Sequence, residues 1–140
     1  MERNRLFMLA RQPVKIIAPV TVRNAFDTSK SLRCDALVDT GASFTILPKA
    51  WKDHLGKFEA SSEVELQTAT QETVKGVLCG PVKITVEGFR PIYNEVLFVD
   101  MKHHEGSYEP LIGYLVLEQC QAAVDMLGHR LVHVKYLDLK

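Results

Sequence analysis

A chain of 140 residues is long enough for one domain with a real core and too short for two, so residues 1–140 are expected to form a single domain. Apolar residues make up 46% and charged residues 24%, ordinary proportions for a soluble globular protein. Basic and acidic side chains cancel at 17 each, so no net field draws the chain to nucleic acid or to an anionic membrane, and neither is expected as a partner.

The opening stretch "MERNRLFMLARQPVK" carries charges on both sides of a short apolar piece. A signal peptide needs a longer apolar run, and no run approaches the roughly 20 residues of a spanning helix. A soluble cytoplasmic protein is the expectation. "VKIIAPVTV" (14–22) is rich in valine and isoleucine and reads as a strand, with Pro19 suited to an edge or bulge. "AFDTSKS" (25–31) reads as a polar turn, and "LRCDALVDTG" (32–41) as a second strand. "SFTILPKAWKDHLG" (43–56) begins extended. It becomes a short helix with Pro48 at its first turn, Trp51 as an anchor and Gly56 at its end.

From 62 to 100 the pattern is strand after strand, with the polar turn "TATQET" (68–73) and a hairpin around Gly88. "MKHHEGSYEP" (101–110) reads as a loop. "PLIGYLVLEQCQ" starts extended, passes Gly113 and turns into a short helix over 114–120. The chain closes with a hairpin turning at Leu127-Gly128. Short strands, two small helices and frequent turn signals predict an all-β sandwich or barrel.

Cys34, Cys79 and Cys120 are odd in number and lack metal-ligand spacing, so they are expected to be buried thiols. His103 and His104 are adjacent and point different ways, with no third ligand placed beside them, which suits a solvated loop better than a metal site. His54, His129 and His133 are scattered. No serine or cysteine nucleophile has a histidine in recognisable context, and no phosphate loop is present. No metal or cofactor is expected.

The chemistry concentrates in "CDALVDTGASFTILP" (34–48). Leu37-Val38-Asp39-Thr40-Gly41-Ala42-Ser43 has the form apolar-apolar-Asp-Thr-Gly-Ala-Ser, with Thr45-Ile46-Leu47 as its continuation. Later, Leu111-Ile112-Gly113 precedes a short helix. In order and spacing, from about residue 14 to 136, the chain resembles the retropepsin-like family of single-domain aspartic proteases.

The resemblance implies an all-β acid-protease barrel with two short helices. It implies Asp39 as the catalytic carboxylate, and Thr40, Gly41, Ala42 and Ser43 as support for its loop. Leu111, Ile112 and Gly113 correspond to the strand passing behind that loop. Thr68, Ala69, Thr70, Gln71 and Glu72 fall where the family keeps a substrate-covering flap. Family flaps carry glycine near the tip; this turn has none before Gly76. After Gly113 the family often has a polar residue, and here it is Tyr114.

Metal-free hydrolysis of a peptide needs a base to activate water and an acid to protonate the substrate. Two carboxylates about 3 Å apart, sharing one proton, supply both. The chain has one Asp-Thr-Gly, so the resemblance implies a homodimer whose twofold axis brings Asp39 beside its symmetry mate. Residues 1–13, otherwise a flexible arm, and Val132 to Leu137 are the candidate interface. Asp35 and Asp125 are alternative second carboxylates within the chain, but neither has the glycine-rich turn. The expected substrate is an extended polypeptide, cleaved best at acidic to mildly acidic pH. The rival readings are an inactive dimeric peptide-binding module with the same fold and a self-processing fragment losing its first 13 residues.

Overall fold

The computed structural model describes residues 15–67, 70–101 and 108–134. In chain order these form β1 (Ile17–Asn24), β2 (Asp27–Val38), β3 (Thr45–Pro48), a 3₁₀ helix (Lys49–Leu55), β4 (Ala60–Gln67) and β5 (Thr73–Val86). Then come β6 (Ile92–Val99), β7 (Leu111–Ile112), the helix α1 (Tyr114–Gln119), β8 (Ala122–Asp125) and β9 (Arg130–His133). The all-β class with two short helices is as the sequence implies.

One sheet runs β1-β2-β7-β3-β6-β5-β4, and β1 also pairs with β5. That second pairing closes six strands into a barrel and leaves β4 outside as an edge. β5 can serve β4, β6 and β1 because it is long and its pairing with β6 breaks register between Cys79 and Val82. Strands β8 and β9 form a separate two-stranded sheet, turning over Met126 to His129.

Strand alternation fills the barrel. Ala18, Val20 and Val22 of β1, Val82, Ile84 and Val86 of β5, and Val96 and Phe98 of β6 point inward. Leu55 from the 3₁₀ helix and Val116 and Leu117 from α1 close the ends. Full burial of each such side chain is worth about 1.5–3 kcal/mol. Trp51 packs on the edge of this core, with its ring edge-on to Tyr108 at 5.9 Å. Pro48 precedes the 3₁₀ helix, and Gly56, at φ 70°, ends it in a conformation that costs glycine little.

The polar stretch 25–31 departs from its reading as a turn. The turn is confined to Ala25 and Phe26, and Asp27 to Ser31 belong to β2. These side chains are exposed on a strand arm that pairs only with the end of β1, so polarity did not preclude pairing. The thiols also differ from expectation in one respect: Cys79 and Cys120 are buried, whereas Cys34 is half-buried.

Asn24 is fully buried and joins three segments. Its Nδ2 donates to the carbonyls of Leu55 at 2.8 Å and Lys57 at 2.7 Å, and its Oδ1 accepts from the Phe26 N–H at 2.9 Å. Truncation leaves two carbonyls and one N–H in need of partners. Asn24→Ala is expected to cost about 3 kcal/mol, read as a lower urea midpoint at unchanged slope.

Candidate active site

The loop 39–44 hangs between β2 and β3, and β7 threads between the same two strands. β7 runs parallel to β2, with Leu37 opposite Leu111 and Val38 opposite Ile112, and antiparallel to β3, with Ile46 opposite Leu111. The Leu37 N–H donates to the Pro110 carbonyl at 2.8 Å, and the Asp39 N–H to the Ile112 carbonyl at 3.0 Å. Asp39 therefore continues the geometry of β2 by one residue, which fixes where its side chain leaves the backbone.

The turn that follows is held from inside and from behind. Oδ1 of Asp39 accepts from the Gly41 N–H at 2.9 Å, and the Ala42 N–H donates to the Asp39 carbonyl at 3.2 Å. Behind the loop, the N–H groups of Tyr114 and Leu115 donate to the carbonyls of Ala42 and Ser43, at 2.7 and 3.3 Å. Gly113 permits this approach. A β-carbon there would sit 2.3 Å from the Phe44 carbonyl oxygen and 2.6 Å from that of Ser43. Leu111, Ile112 and Gly113 thus lie directly behind the loop that carries Asp39.

Asp39 is half-buried, while Thr40, Gly41 and Ser43 are exposed and Ala42 is half-buried. Neither alternative carboxylate is brought to it. Asp35 lies four residues back along β2, about 13 Å at the usual strand rise. Asp125 is committed to the β8–β9 turn, where it accepts from the N–H groups of Leu127 and Gly128 and from Arg130 Nε. These donors, Gly128 foremost, hold its carboxyl below the usual range. Burial, reinforced by Asp35, pushes the Cys34 thiol up to about 11, which favours the protonated form. Among the described residues no group of three or more His, Cys, Asp or Glu is placed to hold a metal ion. His103 and His104 lie outside the described residues.

Of the flap residues, Thr68 and Ala69 lie outside the described residues. The paired part of the β4–β5 hairpin ends at Gln67 opposite Thr73, with Thr70, Gln71 and Glu72 exposed in the turn. Gln71 takes φ 64°, so a non-glycine residue adopts the left-handed conformation that glycine would supply more cheaply. Tyr114 is 43% exposed at the start of α1, beside the loop and not inside the helix packing.

One feature of the site is not anticipated from the sequence. Register places Ile17, Leu37, Leu111, Ile46, Leu97 and Leu78 side by side on neighbouring strands, forming an aliphatic row across the sheet. None of them belongs to the barrel core. Leu37 precedes Asp39 by two residues, so alternation puts the row on the side from which the carboxylate emerges. The signal is nonetheless present: "ALV", "IL", "VLFV" and "LI" are consecutive apolar residues, which put apolar side chains on both faces of their strands.

The family model described as aspartyl protease matches residues 18–116. No curated protein matches the chain. Among solved structures, EIAV protease complexed with the inhibitor HBY-793 aligns with a TM-score of 0.55 at 20% identity, covering 78% of this chain and 90% of that one. At that identity the likeness is one of fold. Among the described residues, no helix is long and apolar enough to cross a membrane.

Proposed function

Because the chain belongs to the aspartyl protease family and has its retropepsin-like fold, we propose that it is an aspartic endopeptidase that works as a homodimer. The observation that carries this reading is the one Asp-Thr-Gly carboxylate of the chain, Asp39, held by the Gly41 N–H in an exposed loop that Gly113 lets β7 brace from behind. A twofold axis through the exposed Thr40-Gly41 edge would set the two Asp39 carboxylates together and cover that edge.

In the proposed reaction the dyad holds one proton. The ionised Asp39 takes a proton from a water molecule, whose oxygen attacks the scissile carbonyl carbon. The protonated Asp39 of the other subunit hydrogen-bonds the carbonyl oxygen. In the collapse of the tetrahedral intermediate the C–N bond breaks and the amine leaves with a proton from the dyad, so no cofactor is needed. The substrate lies extended between the subunits, under the β4–β5 hairpins. The row Leu37, Leu111 and Ile46 offers it an apolar floor, which favours apolar side chains beside the scissile bond.

The test is cleavage of an unfolded protein substrate across acidic to neutral pH at several enzyme concentrations. Specific activity should rise with concentration, because a dimer assembles by mass action, and should fall toward alkaline pH, where the shared proton is lost. A folded dimer that binds peptides without cutting them at any of these pH values would make the protein a binding module instead.

A further inference from the structure

Away from the site, the outer wall of the barrel carries a like-charge pair that, among the described residues, has no ion-pair partner. Arg23 of β1 and Lys83 of β5 are direct register partners, and both are half-buried. Ser31 of β2 flanks Arg23, and the exposed Tyr93 of β6 flanks Lys83 in the same row. Among the described residues the ion pairs are Lys15–Glu109, Arg33–Glu87 and Arg130–Asp125, so Arg23 and Lys83 enter none. The nearby Glu87 is already held by Arg33 at 3.4 Å. The Nε of Arg23 is buried without a hydrogen-bond partner. Like charges directly opposite on neighbouring strands destabilise a sheet, and a buried orphan donor adds to the cost.

An oxyanion lying across the pair from the solvent side would relieve the repulsion between the two cations. We propose that Arg23 and Lys83 form a carboxylate-binding site on the barrel wall that takes an acidic side chain of an extended polypeptide. A guanidinium and an ammonium on adjacent strands stand about 5 Å apart at their β-carbons, near enough to converge on one carboxylate. The chain as a whole is neutral, so it lacks the long-range field that gathers a polyanion such as nucleic acid. The site goes beyond the proposed reaction and does not depend on it.

The test is fluorescence anisotropy of a labelled glutamate-rich peptide, made with Asp39→Asn protein so that the probe stays intact whether or not the wild type cleaves peptides. Saturable binding that weakens with salt is expected, reduced about 10-fold or more by Arg23→Gln and by Lys83→Gln. Thermal unfolding without peptide gives an independent readout: Lys83→Gln should melt no lower than its parent, because it removes a repulsion. Binding unaffected by either substitution, no binding at all, or tighter binding of an oligonucleotide than of the peptide would overturn the proposal.

Discussion

Asp39→Asn is expected to abolish cleavage, lowering kcat/KM by at least about 10³-fold, since a homodimer would lose its base and its acid together. The fold should survive. The amide oxygen of asparagine can still accept the Gly41 N–H that Asp39 Oδ1 accepts now at 2.9 Å, and the backbone bonds to Ile112 and Tyr114 are untouched. The melting temperature therefore serves as the control. Mixing supplies a sharper test. If subunits exchange freely, equal amounts of wild type and variant leave about one quarter of the dimers with both aspartates. Activity per wild-type chain should then drop by about half. Undiminished activity per wild-type chain would mean that one subunit suffices and would sink the dyad. Cleavage retained by the variant alone would remove Asp39 from the chemistry.

Gly113→Ala is expected to do comparable damage by a different route. The added methyl would meet the Phe44 carbonyl oxygen at 2.3 Å, its carbonyl carbon at 2.5 Å and the Ser43 oxygen at 2.6 Å. All three are backbone atoms, so no side-chain rotation makes room. Either β7 or the loop must retreat. Retreat stretches the bonds from Tyr114 and Leu115 to Ala42 and Ser43, and the bond from Asp39 to Ile112. Overpacking together with weakened buried hydrogen bonds should cost about 3 kcal/mol or more. Urea denaturation would read the loss, and whatever remains folded should have lost most activity because Asp39 has moved. Gly88 gives the contrast. It sits at φ 90° in a turn with nothing within 4 Å, so alanine there meets only backbone strain, about 1 kcal/mol. Wild-type stability and activity in Gly113→Ala would refute the close approach.

Many of these features are legible in the amino-acid sequence, and the reason is locality. The alternation in "VTV" and "KITV", the turn at Gly88 and the helix stop at Gly56 each follow from near neighbours along the chain. The Asp-Thr-Gly turn is equally local, because Asp39 and the N–H it accepts are two residues apart. Other features are out of reach for the opposite reason. The polar residues 27–31 extend as strand because Asp27 and Ser31, at the two ends of that stretch, pair with Asn24 and Arg23 of β1 across an irregularity. Asn24 carries no local sign of its role, because its partners at Leu55 and Lys57 lie over thirty positions away.

The sequence by itself determined the class of fold, the family resemblance and the residue that carries the proposed chemistry. It did so because a carboxylate in a tight turn between apolar strands is a short-range pattern. Only the tertiary structure decided what surrounds that residue. The barrel closes because β5 also reaches β1. That closure sets Arg23 against Lys83, sixty residues away. Sheet register, not composition, assembles Leu37, Leu111 and Ile46 into one row beneath Asp39. A shift of one residue in any of these strands would turn its side chains to the opposite face, so such surfaces come into being only when the strands pair.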